Sequence, residues 1–313
     1  MSAAQGIGVG EQQQLEDDQH DKGSSAPTQP GRRRATPYLL LLPGMAWLTI
    51  FFIVPILTLL STSTQTRPEG AEIGVYTQTL RLANYTDTLS EYLTVFGRSF
   101  MYALIATGLA LAISYPLAYA IAFKVGRWRN LLLVLVVAPF FVSFLLRTIA
   151  WKQILADQGW VADALRTLHV LGPDGRIINT APAVVIGITY NFLPFMILPI
   201  YASLERVDPR LMEAAGDLYA NALITMRKVT FPLSLPGVVA GTLLTFIPAA
   251  GDYVNSALLG DPVHTTMVGN VIDSRFLKVV DYPTAAVLSV SLMVSILVLV
   301  GLYIRRAGTE ELV

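Results

Sequence analysis

The sequence predicts an all-α membrane protein built from six transmembrane helices. Hydrophobic residues make up 53% of its 313 positions and charged residues only 14%, with a mean hydropathy of +0.55. Apolar runs of about 20 residues, the length a helix needs to cross a hydrocarbon core, recur along the chain. Lys and Arg gather beside alternate ends of those runs. The formal net charge is zero, so no electrostatic pull toward nucleic acid follows and none is expected as a partner. The chain has no Cys, which excludes disulfides and thiolate metal sites. His20, His169 and His264 lie far apart, and no metal site is expected.

In chain order, residues 1–36 read as a disordered tail of Gln, Asp, Gly, Ser and Pro. A cleaved signal peptide is not expected, because the charged patch comes late and the first apolar run is too long. Spans are expected at 38–62, 99–123, 131–154, 182–204, 236–257 and 284–304, within a membrane domain of residues 37–306. They must be helices, since lipid cannot pair an exposed backbone group. The third carries Arg147 and Lys152 near its end, and the fifth carries Asp252. Pro43, Pro55, Pro116, Pro139, Pro194, Pro199 and Pro248 mark the spans with kinks for packing or for a water-filled path. Trp151 and Trp160 read as interfacial anchors. Residues 307–313 form a short tail.

Orientation follows from the basic residues. Arg32–Arg34, Lys124, Arg127, Arg129, Arg206, Arg210, Arg227, Lys228, Arg305 and Arg306 fall on one side, which is read as cytoplasmic with both termini. The opposite loops spread their Arg more thinly, and Asp157, Asp163, Asp174, Asp261, Asp273 and Asp281 could make an acidic vestibule or ordinary surface.

The segment 205–235 is polar yet helix-compatible. Asp208-Pro209 is a helix start, a capping side chain followed by Pro at the first helical position, and predicts a helix over Pro209–Tyr219. Asn221 caps a second short helix to about Val229, and Pro232 and Pro236 lead into the fifth span. Physics alone leaves two readings, a rigid docking element or a solvated connector on the membrane surface.

Glu213-Ala-Ala, with Val229-x-Phe231-Pro232 at the family distance, resembles the cytoplasmic EAA loop of ABC-importer permeases. One position departs from the pattern: Tyr219 stands where the family has Gly. Gly97-Arg-Ser-Phe, Tyr115-Pro-Leu-Ala-Tyr119, Leu146-Arg-Thr-Ile-Ala-Trp151 with Gly159, and Leu258-Leu-Gly260 with Gly269-Asn-Val-Ile272 resemble the spermidine/putrescine branch, over roughly 38–306. The resemblance implies a type I ABC importer permease fold in a bacterial inner membrane. It implies ATPase coupling through Glu213, Ala214, Ala215, Gly216, Tyr219 and Asn221. It also implies partners: a second, PotC-like permease subunit, two copies of a PotA-like cytoplasmic ATPase that holds the ATP and Mg, and a PotD-like extracytoplasmic solute-binding protein. Lipid is the remaining partner. No Gly-x-x-x-x-Gly-Lys-[Ser/Thr] loop occurs, so the chain is expected to be a conduit with no catalytic residue and no bound cofactor.

Candidate path residues are Asp252, Tyr253, Phe246, Thr245 and Asn191. Thr242, Thr245, Ala249, Asp252 and Ser256 recur at helical spacing and would share one face, for close packing or for a path. A carboxylate within a span is costly unless paired or hydrated. Asp252 therefore contacts an ammonium group of a cationic cargo beside the rings of Tyr253 or Phe246, pairs with Arg147 or a partner subunit, or is hydrated. Asn191 lines the pore or makes an interhelical hydrogen bond. Arg147 snorkels or pairs with a carboxylate. A polyamine is the expected cargo; an opine, a compatible solute or an iron complex is the alternative. A membrane scaffold that moves no solute is the reading from a different class.

Overall fold

The computed structural model describes residues 36–172 and 175–307. The two expected tails lie outside them, apart from their innermost residues. The chain divides into two units, Met1–Ile56 and Leu57–Val313. In the first, α1 (Thr36–Leu48) passes through a π turn at Thr49–Ile53 into the start of α2 (Val54–Ser63). Leu41–Ser63 has the length and the mean hydropathy, 2.1, of a span.

The second unit continues with a small antiparallel hairpin, β1 (Gln65–Thr66) and β2 (Thr77–Gln78), with Gln65 opposite Gln78. Asn84 donates to the carbonyls of Ser63 and Gln65 and ties the hairpin to the start of α3 (Ala83–Phe123). The expected second span is only the later part of this 41-residue helix. The third span is a bent pair, α4 (Arg129–Val137) and α5 (Phe144–Ile154), with 97° between its halves. Between them lie a 3-10 turn at Ala138–Phe141 and extended backbone at Val142, beside Pro139, which lacks an N–H. The short α6 (Trp160–Thr167) precedes α7 (Ala181–Glu205), which runs on through Pro194 and Pro199.

The loop segment holds α8 (Pro209–Asp217), α9 (Ala222–Thr225), a π turn at Met226–Thr230 and α10 (Phe231–Leu233). A 69° bend then leads into α11 (Leu235–Ala250). The chain closes with α12 (Val254–Leu259), α13 (Val268–Asp273), a π turn at Ser274–Lys278 and α14 (Tyr282–Ala307). Among the described residues four helices are long and apolar enough to span a membrane, or up to six if each bent pair counts as one span.

The fifth span corrects the expectation of one helix over 236–257. It stops at Ala250 and restarts as α12. Pro248 has already removed a ladder donor, and the Asp252 carboxylate accepts the N–H of Asn255 at 3.1 Å, opening a new helix there. The five-residue stripe is therefore split between two helices and is not one face.

Helix α7 forms the centre, packed against α3 and α11, which also touch each other. It is apolar on nearly every side and the most buried of the long helices, with two thirds of its span window enclosed. Glycines on α11 set the approach: a Cβ at Gly237 would lie 2.4 Å from the Pro199 carbonyl oxygen, and one at Gly241 3.0 Å from that of Met196. Backbone cannot yield as a side chain can. Gly237→Val should therefore cost about 1–3 kcal/mol and lower the detergent-phase Tm by several degrees, read by a thermal melt. Gly108→Ala, whose Cβ meets nothing within 4 Å, should leave Tm unchanged or raise it.

Candidate functional site

The loop after α7 is built by local capping. Asp208 accepts the N–H of Arg210 at 2.9 Å, and Pro209 occupies the first turn of α8. Asn221 accepts the N–H of Ile224 at 2.9 Å and starts α9. The first helix ends at Asp217, two residues short of the expected Tyr219. Of the motif residues, Ala215 is buried, while Glu213, Ala214, Gly216, Tyr219 and Asn221 are exposed. Among the described residues no group pairs with the Glu213 carboxylate.

The reason for the earlier end is the backbone at Tyr219, whose φ is +58°. The N–H groups of Leu218, Tyr219 and Ala220 fold back onto the carbonyls of Ala214, Gly216 and Ala215. This is a left-handed helix terminus of the kind Gly usually provides. An L-residue in that region costs about 1–2 kcal/mol. The Gly of the family pattern therefore has a steric reason, and Tyr219 adopts the Gly conformation at a cost.

The loop is fastened to the spans at both ends. Ser234, fully buried between α10 and α11, hydrogen-bonds the Tyr115 hydroxyl of α3 at 3.0 Å, and the Tyr115 and Phe231 rings lie 5.5 Å apart. At the end of α7, Arg129 donates to Glu205 and Tyr201. The loop is thus joined to α3, α4, α7 and α11 by hydrogen-bonded and packed groups.

A second constellation lies deep in the helices. Asn191 on α7 donates to Asn255 Oδ1 on α12 at 2.9 Å and to Thr148 Oγ1 on α5 at 3.1 Å. Asn255 in turn gives its backbone N–H to Asp252. All four are buried, Asn255 and Thr148 completely. Asn191 Oδ1 and Asn255 Nδ2 have no partner within the described residues. Turning both amides over exchanges the roles and leaves the same two positions unpaired. Close approach is possible because Gly187 lacks a Cβ, which would sit 2.7 Å from Asn255 Oδ1. Asn270 holds the break from outside: it accepts from Ser256 and donates to the Tyr253 carbonyl at 2.8 Å.

The expected path residues thus divide. Asn191 and Asp252 meet through Asn255, which the sequence reading passed over along with Thr148; a polar residue three positions after Asp252 was the available signal. Thr245 is fully buried, and its hydroxyl has no partner among the described residues. Phe246 faces elsewhere, stacked on Phe100 at 6.3 Å beside an apolar cavity of about 560 Å³ lined also by Leu104, Thr242 and Tyr303. Tyr253 is half exposed. Arg147 does not pair with Asp252; its guanidinium lies over Phe140 at 5.2 Å and Phe144 at 5.6 Å. Trp151 packs edge-on against Tyr190 at 5.1 Å, and Trp160 is exposed.

Of the carboxylates that could make an acidic vestibule or ordinary surface, three meet Arg residues. Asp157 meets Arg176 at 3.8 Å, Asp163 meets Arg166 at 3.2 Å, and Asp281 meets Arg275 at 3.5 Å. The backbone N–H groups of His264 and Val263 hold the Asp261 carboxyl below its usual range. Asp174 lies outside the described residues.

Residues 114–307 match the family described as binding-protein-dependent transport system inner membrane component. The chain is 36% identical over 264 residues to the spermidine/putrescine transport system permease protein PotB of Escherichia coli (strain K12), covering 84% of this chain and 94% of that protein. It is 38% identical over 261 residues to the protein of the same name from Haemophilus influenzae, covering 83% and 90%. Among solved structures it resembles a bacterial alginate ABC transporter in complex with an alginate pentasaccharide-bound periplasmic protein. That match has a TM-score of 0.65 at 19% identity, over 85% of this chain and 92% of the other.

Proposed function

We propose a function on one premise: the chain belongs to the family of binding-protein-dependent transport system inner membrane components. It is a multi-pass inner-membrane permease subunit of an ABC importer with the type I permease fold. Its cargo is a polyamine, spermidine or putrescine. The observation that carries this reading is the 36% and 38% identity to two proteins of that name, over more than four fifths of the chain.

The chain forms half of the translocation path, and a PotC-like permease forms the other half. Two copies of a PotA-like ATPase bind and hydrolyse ATP with Mg. A PotD-like binding protein delivers cargo. The segment 205–235 is the coupling element, which is consistent with its capped helices and its anchoring to Tyr115 and Glu205. The loop and both termini face the cytoplasm, where the basic residues cluster. Asp252 receives the ammonium groups of the cargo, Asn191 supplies a neutral acceptor beside it, Tyr253 offers a ring, and Thr245 lines the adjoining wall, while Phe246, stacked on Phe100, faces away from it. The buried contacts among Asn191, Asn255 and Asp252 describe a closed path that must part for cargo to pass.

The reading is tested by ATP hydrolysis in the reconstituted assembly. Binding protein loaded with spermidine or putrescine should stimulate hydrolysis over the empty protein, and stimulation by an opine, a compatible solute or an iron complex instead would move the cargo to that class. Asp252→Asn, which keeps the shape and removes the charge, should lower polyamine uptake about tenfold or more, the loss of a charge-assisted contact. Unchanged uptake in a well-expressed Asp252→Asn variant would remove Asp252 from the path.

A further inference from the structure

The carboxylate of Asp252 sits where α11 has ended at Ala250 and α12 has not yet begun at Val254. A chain break in a span has no helical ladder of its own to fix it. Here α13 supplies the support. Asn270 donates to the Tyr253 carbonyl at 2.8 Å, and its Oδ1 accepts the Ser256 hydroxyl and, at 3.1 Å, the N–H of Met267. One side chain thus grips the chain on both sides of Asn255, whose N–H the Asp252 carboxylate accepts. Gly269 lets α13 come this close: a Cβ there would lie 2.6 Å from the Gly251 carbonyl oxygen and 3.1 Å from that of Asp252. Packing does not replace these bonds, because a cavity of about 650 Å³ lined by Tyr92, Ser256, Asn270, Ser274 and Arg275 opens beside them.

The support is itself anchored. Val268 gives its N–H to Ser99 Oγ on α3 at 2.8 Å, and its side chain clusters with Phe96 of α3 and Leu288 of α14. We propose that Asn270, with Gly269, is the positioning residue for Asp252: it ties the break in the fifth span to this platform and so holds the carboxylate where a passing ammonium group meets it. Asn270 acts through Asp252, and the inference rests on the path role given above to that residue.

The test uses the whole assembly in proteoliposomes, with binding protein loaded with labelled spermidine, and reads cargo accumulated per ATP hydrolysed. A variant that merely folds less well loses uptake and hydrolysis together and leaves that ratio alone. Asn270→Leu keeps the bulk and removes both polar groups; it should lower the ratio about tenfold, the worth of one or two lost hydrogen bonds. Gly269→Ala leaves the Asn270 side chain in place, pushes the break away from α13, and should lower the ratio in the same direction. Asp252→Asn is measured beside them. Adding Asn270→Leu to Asp252→Asn should lower the ratio no further than Asp252→Asn alone, because the two act as a unit. If Asp252→Asn lowers the ratio while Asn270→Leu and Gly269→Ala leave it unchanged, the positioning role is overturned and the path role stands. If the double variant shows the full product of the two single losses, Asn270 does not act through Asp252 and the proposal is overturned. A ratio unchanged in Asp252→Asn would overturn both roles.

Discussion

Replacing Glu213 with Ala should leave the protein inserted and folded while uncoupling ATP hydrolysis from uptake. Glu213 is exposed and unpaired, so the change removes no internal contact and Tm should stay within a degree or so. Hydrogen bonds to a charged group contribute about 1.5–3 kcal/mol. Loss of one such contact with the ATPase predicts docking weaker by about tenfold to a hundredfold. Uptake should fall at least as far, since every turnover passes through the loop. The check is uptake and hydrolysis measured together in proteoliposomes. Normal uptake by a correctly expressed Glu213→Ala variant would contradict the assignment of 205–235 as the coupling element.

The largest effect on stability should come from the buried amides. Asn255→Leu leaves the Asn191 amide with Thr148 alone and puts a branched side chain where Gly187 already marks a tight approach. A buried polar group stripped of its partner costs about 1–3 kcal/mol. At about 2–4 °C per kcal/mol for a domain of this size, the melt in detergent should shift by several degrees. Removing both amides, in Asn191→Leu with Asn255→Leu, should cost less than the two single changes together, with a coupling of about 0.5–3 kcal/mol. Strict additivity would show that the two amides do not act as a pair.

The parts of the fold legible in the sequence are those that lipid dictates. An apolar run of spanning length has almost no alternative to a helix, and all six segments are helical, the third broken near 138–143 and the fifth at 251–253. Asp208-Pro209 and Asn221 located the loop helices because capping is local chemistry. The break at Gly251–Tyr253 was hidden because hydropathy stays high across it, and only Pro248 and Asp252 hint that the ladder fails. The first turns of α3 were missed for the opposite reason: residues 83–98 are too polar to read as a span, yet they are helical and are held by the hairpin and, through Phe96 against Val268, by α13. Asn255 and Thr148 could not be joined to Asn191 without tertiary structure, since nothing in their spacing says that α5, α7 and α12 meet. Tyr219 was visible as a departure from a Gly position, but only its φ gives the physical reason for the Gly.

The central claim, a conduit for polyamines driven by a separate ATPase, is tested most directly by uptake. The subunit is reconstituted in liposomes with its permease partner, the ATPase and the binding protein, and labelled spermidine and putrescine are supplied outside. The account predicts saturable accumulation that requires ATP inside and binding protein outside, and that is lost when this subunit is omitted. An assembly that hydrolyses ATP in response to loaded binding protein, yet accumulates no polyamine, would contradict it.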